Sequence, residues 1–215
     1  MEVVTYTAIM GSYDRLQVPF YDGRYICYTD RQQACHGWET RVRKPQFTDP
    51  RREARLYKLL AHQWLPDADF TVWHDANVRL AIEPERLVAE MGEESIAVLR
   101  HPKRDCIMDE ARAVVAGRGT DLHQAKEQVG SYRERGYPEH NGLVETAILV
   151  RRNDEVSALL NEAWWAELCR HTERDQLSFN FVCWLYDIPY VELPVDDVRT
   201  HKWFQWWPHG GGPKA

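Results

Sequence analysis

Asp69-Phe70-Thr71-Val72-Trp73-His74-Asp75-Ala76-Asn77 is a short apolar run that ends in two oxygen-bearing side chains. β-Branched and aromatic residues dominate its start, so Asp69 to Trp73 reads as a buried strand. His74-Asp75-Ala76-Asn77 then delivers polar groups at the carboxyl end of that strand. Alternate residues of an extended segment point the same way, so Asp75 and Asn77 can converge on one point. A hard divalent cation such as Mg²⁺ or Mn²⁺ takes one or two protein oxygens of this kind, and water and substrate phosphates complete its shell. The competing reading is a turn in which Asp and Asn bond local amides. Taken alone, the motif favours the turn.

Outward from this stretch, helices and strands alternate. Upstream, Asp49-Pro50 opens a helix, with Asp49 suited to the N-cap and Pro50 to the first helical position. Ala54, Leu56, Leu59, Leu60 and Trp64 recur near helical spacing to about Trp64, and Pro66 ends the helix. Arg55 and Lys58 are three apart and share a face. That face is either an ordinary solvated one or a pair of cations placed to neutralise a diphosphate. Val3 to Met10 and Tyr25 to Thr29 read as earlier strands, separated by turn chemistry at Gly11-Ser12-Tyr13-Asp14. Downstream, strands are expected at Ser95 to Leu99, Thr146 to Val150 and Tyr190 to Leu193. Helices are expected from Glu83-Pro84 to about Met91, over Asp109 to Val115, over Leu122 to Arg135, and from Asn153 or Asp154 to about Trp165. Arg174 to Leu185 is apolar on one helical face. This alternation predicts an α/β fold, a mainly parallel central sheet flanked by helices, with ligands bound at the carboxyl ends of its strands.

Composition bounds the function. The chain has 215 residues, 44% hydrophobic and 28% charged, the balance of one globular domain. Its net charge of −6 argues against a broad electrostatic footprint for nucleic acid. No window holds about 18 consecutive apolar residues, so no membrane span is expected. Met1-Glu2-Val3-Val4 carries no basic segment before an apolar core, so no secretory leader is expected either. The five cysteines, Cys27, Cys35, Cys106, Cys169 and Cys183, form no C-x-x-C and read as reduced thiols of a cytoplasmic protein. Trp203, Trp206 and Trp207 crowd the C-terminus. Such a tail packs on the body or lines a site for a ring-shaped ligand. The expected organisation is one domain over 1–205 and a Trp/Gly-rich tail over 206–215, with Gly210-Gly211-Gly212-Pro213 a loose end.

The order of these motifs resembles the donor-binding core of GT-A glycosyltransferases. In the glycogenin-like retaining enzymes a helix bearing an Arg precedes Leu-Pro, a spacer, a strand and Asp-x-Asp. Here Ala54-Arg55-Leu56-Tyr57-Lys58-Leu59-Leu60 precedes Leu65-Pro66 and the run to Asn77. A closer resemblance is to a glycosyltransferase-like family, long catalogued as of unknown function, that includes plant mucilage-related and turgor-regulation proteins. Its landmarks resemble Tyr6 to Asp14, Tyr28-Thr29-Asp30, Trp73 to Asn77, His101-Pro102-Lys103-Arg104-Asp105-Cys106, Gly142-Leu143-Val144-Glu145 and Arg174-Asp175-Gln176-Leu177-Ser178-Phe179. The likeness spans about residues 3 to 202. One departure is that Asn77, a neutral and weaker ligand, stands where the usual motif has a second acid.

The resemblance implies a nucleotide-sugar donor, most simply a UDP-sugar, and a glycan or other hydroxyl acceptor. It implies that Tyr6, Thr7 and Ala8 line the nucleotide, that Asp30 faces base or ribose, and that Arg55 and Lys58 approach the diphosphate or donor sugar. Lys202 is implied at the donor as well. Asp75 and Asn77 would hold Mn²⁺ or Mg²⁺ with a C-terminal histidine, His201 or its competitor His209. Asp175 and Gln176 would face the donor sugar and acceptor, although Asp175 also suits a helix N-cap. His101, Arg104, Asp105 and Glu110 form a polar cluster that either shapes the pocket or salt-bridges a loop. Asn141 and Glu145 are candidates for sugar hydroxyls. The resemblance favours a retaining, front-face transfer; inversion would require Asp105, Glu145 or Asp175 as base. Two alternatives stand beside it. One is a nucleotide-sugar-binding protein without turnover, motivated by Asn77. The other is an enzyme that glycosylates a modified base in DNA, with Arg41, Arg43, Lys44, Arg51, Arg52 and Arg55 along the phosphates.

Overall fold

The computed structural model describes residues 1–11 and 13–210, with Arg118 described by its backbone alone. The turn expected at Ser12 and the loose Gly211-Gly212-Pro213 end lie outside the described residues. In chain order the elements are β1 (Val3–Ile9), β2 (Arg24–Thr29), β3 (Glu39–Val42), α1 (Pro50–Leu59), α2 (Ala61–Trp64), β4 (Phe70–His74), β5 (Val78–Leu80) and α3 (Pro84–Met91). They continue with β6 (Ile96–Arg100), α4 (Ile107–Arg118), α5 (Leu122–Glu134), β7 (Val144–Arg152) and α6 (Glu155–Arg170). A 3-10 turn (Asp175–Leu177), α7 (Phe179–Tyr186), β8 (Val191–Glu192) and β9 (Phe204–Trp206) complete the fold.

The central sheet has the order β3-β2-β1-β4-β7-β6-β8. β1 runs parallel to both β2 and β4, β2 to β3, and β6 to β8; β7 alone opposes its neighbours. This is the expected mainly parallel sheet. Successive residues of β1 and β6 enter opposite cores: Val4, Tyr6, Ile96 and Val98 on one face, Val3, Ala97 and Leu99 on the other. Both faces are covered, which is why these strands read as near-continuous runs of apolar and β-branched residues. The first face carries α1, α4, α5, α6 and α7. The second carries α3 and a small antiparallel ladder of β5 with β9.

Helix α1 starts as expected: the Asp49 carboxylate accepts from Arg51 N at 2.9 Å, and Pro50 is the first helical residue. It stops at Leu59, and a separate turn, α2, reaches Trp64. The physical reason lies in β7. The buried Arg151 guanidinium donates to the carbonyls of Lys58 at 2.7 Å and Leu59 at 3.2 Å. Those carbonyls are the acceptors a continuing helix would use. Gln63 N turns instead to Leu60 O at 2.9 Å. The helical face expected from Arg174 likewise divides into the 3-10 turn and α7. Strands β3, β5 and β9 have no counterpart in the expected list.

Candidate active site

Strand β4 delivers the motif that opened the sequence reading. His74 is its last residue, and Asp75 N continues the ladder to Ala147 O at 2.9 Å. The chain then turns, with Val78 N donating to Asp75 O at 2.8 Å. The backbone is therefore the turn of the second reading, yet neither side chain serves a local amide. Asp75 Oδ1 accepts from Trp73 Nε1 at 3.0 Å and from Lys58 Nζ at 3.5 Å. Asn77 Nδ2 donates to Trp207 O at 2.8 Å, across 130 residues of sequence.

These side chains border an open cleft of about 770 Å³ at the carboxyl ends of β1 and β4. Ligand sites typically occupy roughly 300–1,000 Å³. Of the expected residues, Ala8, Arg55, Asp75, Asn77, His101, Arg104, Glu110, Glu145, Asp175 and Gln176 line it. Six segments far apart in sequence are thereby brought to one place.

Behind Asp75 lies a buried charge network. Lys58 has no exposed side-chain surface; its Nζ is 2.5 Å from Asp175 Oδ2 as well as 3.5 Å from Asp75. Arg55 Nε pairs with Asp175 Oδ1 at 3.1 Å, close enough for strong attraction though not aligned as a hydrogen bond. Thr146 Oγ1 donates to Asp175 at 3.0 Å. Burial works to raise the Asp175 pKa, but Arg55 and Lys58 outweigh it and hold the carboxyl well below its usual range. Burial likewise opposes the charge on Arg55, and Asp175 and Asp75 outweigh that, raising its pKa. Asp175 is no helix cap: neither the 3-10 turn nor α7 takes a capping bond from a side chain. Its carboxylate faces inward to the cations.

Glu145, at the start of β7, sits in a two-pronged fork. Arg199 Nη2 donates to Oε1 at 2.6 Å and Nη1 to Oε2 at 3.2 Å. Burial raises the Glu145 pKa, and Arg199 only partly offsets this. His101, Arg104 and Glu110 form the third cluster. His101 Nδ1 accepts from the backbone of Lys103 at 3.1 Å and Arg104 at 2.9 Å, and Arg104 pairs with Glu110 at 2.6 Å.

Other expected residues lie outside the cleft lining, each for a local reason. Tyr6 is fully buried; its hydroxyl donates to Lys58 O at 2.9 Å and also meets Arg151. Thr7 is fully buried, with its hydroxyl unpartnered. Asp30 accepts from Gly11 N at 3.0 Å and so pins the turn after β1, where Gly11 adopts a positive φ of 70°. Asp105 is exposed and paired with His140 at 2.8 Å. His201 packs edge-on against Trp203, and Lys202 is exposed. His209, not His201, reaches the lining; its Nδ1 is 3.0 Å from Asp14 Oδ2. The basic residues considered for a phosphate track are dispersed into separate contacts. Arg41 holds Glu39 at 2.6 Å, Arg51 holds Glu173 at 3.1 Å, Arg52 reaches His171 O at 3.3 Å, and Arg55 turns inward.

The sequence reading missed Arg199, Thr146 and Arg151. Nothing local marks them: Arg151 ends an apolar strand like any surface residue, and Arg199 lies 54 residues from Glu145. The tail residue Trp206 also lines the cleft, so the expected border between 205 and 206 falls inside β9.

Two curated relatives from Arabidopsis thaliana share 29% identity with this chain. One, named "Probable hexosyltransferase MUCI70", aligns over 147 residues, 63% of this chain and 25% of the relative. The other, named "Alkaline ceramidase TOD1", aligns over 148 residues, 63% of this chain and 32% of the relative. The chain thus spans about a quarter to a third of the relatives it matches, and their names point to different reactions. The family model matches residues 26–194, a span that includes β4, Asp75, Glu145 and Asp175. With that match over most of its length, the chain belongs to the TOD1/MUCI70 glycosyltransferase-like domain family.

Proposed function

We propose that this chain transfers a sugar from a UDP-sugar to a hydroxyl of a glycan or similar acceptor, with Mn²⁺ or Mg²⁺ at Asp75 and with retention of configuration. The observation that carries the reading is the placement of Asp75 on the wall of the cleft, joined through Lys58 to Asp175. A carboxylate that faces solvent is thereby backed by a buried cation pair and a second carboxylate whose pKa those cations hold low.

The residues fit a divalent ion of the hard type. The Asp75 side chain is 28% exposed, and its two bonds both fall on Oδ1, leaving Oδ2 as an acceptor. Asn77 spends its amide nitrogen on Trp207, leaving its carbonyl oxygen. Among the described residues no three His, Cys, Asp or Glu side chains group to hold a metal. That donor set suits an ion that completes its shell with water and phosphate oxygens, not a closed protein cage. When bound, the ion would offset charge developing on the leaving diphosphate.

The remaining steps belong to the chain. Arg51, Lys103, Arg174 and Arg199 put cationic groups around the cleft, where charge develops. Asp175 and Gln176 orient the donor sugar. Neither Glu145 nor Asp175, the two expected bases that line the cleft, is placed as a free base: Asp175 is held ionised by two cations, which makes it a poor proton acceptor, and Glu145 is forked by Arg199. A transfer in which the leaving phosphate takes the acceptor proton is therefore favoured over inversion.

Calorimetric titration of UDP, with and without Mn²⁺, tests this. Binding that requires the metal is expected. No binding in either condition would overturn the donor assignment. Metal-dependent hydrolysis of the UDP-sugar separates an enzyme from a binding protein without turnover.

A further inference from the structure

We infer that Asn77 is a positioning residue, whose side-chain amide ties the C-terminal strap in place as a wall of the cleft. The inference rests on reading that cleft as the donor site.

The strap is held in two stages. Its first stage is backbone: β9 pairs with β5, and Ala81 N donates to Trp203 O at 2.7 Å. Past Trp206 the ladder ends. Residues 207–210 are then held at Asn77 and at Asp14. At Asn77 the contact is reciprocal: Trp207 N donates to Asn77 O at 3.0 Å, and Asn77 Nδ2 donates to Trp207 O at 2.8 Å. At Asp14, His209 Nδ1 lies 3.0 Å from Oδ2 and Gly210 N donates to Oδ1 at 3.1 Å. Trp206, Pro208 and His209 of this segment line the cleft, as do Asn77 and Asp14. The strap therefore bridges from the β4 turn to the turn after β1.

The amide is the chemistry this tie demands. Trp207 O needs a donor, and a carboxylate has none. Asn77 is only 6% exposed, so an aspartate there would set a buried charge against a carbonyl oxygen. The second acid that would strengthen a metal site would release the strap. Asn at this position is thus accounted for by the strap, and the weaker metal ligand is its consequence.

The test uses Asn77→Asp and Asn77→Ala in the full chain, read by hydrogen exchange and by UDP dissociation. In both variants, the amides of Trp207, His209 and Gly210 are expected to exchange about tenfold faster, the effect of losing one satisfied buried bond. Protection of β1, β4 and β7 and the melting temperature should stay near those of the unmodified chain. UDP should dissociate faster by a similar factor. Unchanged strap protection in both variants would overturn the tie. So would an Asn77→Asp chain that binds Mn²⁺ and UDP more tightly with its strap protection intact. If the strap responds as expected while the unmodified chain binds no UDP, the tie stands and the donor assignment falls.

Discussion

Lys58 and Asp175 meet at 2.5 Å with 0% and 5% of their side chains exposed, so this ion pair is shielded from water. A pair of this kind is costly to form and costlier to break, because removing one partner strands the other. Lys58→Met leaves Asp175 with Arg55 and Thr146, and leaves Asp75 without its cation. The expected loss is about 3–5 kcal/mol, read as a lower midpoint in urea with an unchanged slope. Lys58→Met combined with Asp175→Asn should lose less than the two single losses summed.

Acid should weaken the fold through Asp175. Its folded pKa lies below its unfolded value, so its stabilisation is fully present above the ordinary carboxylate value of 3.8 and is lost progressively as pH falls from there through the lower folded value. His74 acts in the same direction at higher pH. Burial lowers its pKa below 6.5, so the unfolded chain takes up a proton there that the folded chain refuses. Melting temperature should fall from about pH 6.5 downward and fall further below pH 4. In Asp175→Asn the second fall should shrink and the first should remain.

Asp75 and Asp30 should separate in their effects. Asp75→Ala should abolish metal-dependent UDP binding and donor hydrolysis while changing stability little, since the side chain is partly exposed. Normal turnover in that variant would remove the site assignment. Asp30→Ala loses the bond that pins Gly11 at the cleft edge. It should weaken UDP binding by about tenfold or less, the scale of one typical net hydrogen bond, and leave the metal requirement intact.

How much of this was legible in the sequence depends on distance along the chain. β1 and β4 were readable because a strand covered on both faces is a near-continuous run of apolar and β-branched residues, and Asp75 follows one directly. Asp49 was readable because capping is local. β3, β5 and β9 were not: Glu39–Val42 is polar at an edge, and β5 and β9 have three residues each. Their pairing is set by the partner, not by periodicity. The site divides the same way. Arg55 and Lys58 announced themselves as one helix face, but their target, Asp175, lies more than a hundred residues on. Its place before an apolar helix suits a cap as well as a role at the donor, and the cations that hold it give no signal in its own stretch of sequence. The tie between Asn77 and Trp207 had no local signal at all.

Arg199 offers a test of the cleft's electrostatics at a residue outside the proposed metal ligands. Its fork is the main influence holding the Glu145 pKa down against burial. Arg199→Met removes that influence and leaves desolvation together with the nearby Asp197 and Asp75 carboxylates, so the Glu145 pKa should rise further and the carboxyl should protonate at higher pH. If donor turnover requires ionised Glu145 to shape the cleft, the acid limb of the activity profile should shift to higher pH in this variant. Glu145→Gln should remove the limb, since an amide does not titrate. A limb unmoved in both variants would show that Glu145 plays no titrating part in turnover. Arg199 would then act through its structural contacts, the Asp197 carboxylate at 2.9 Å and the Trp206 ring 5.8 Å from its guanidinium.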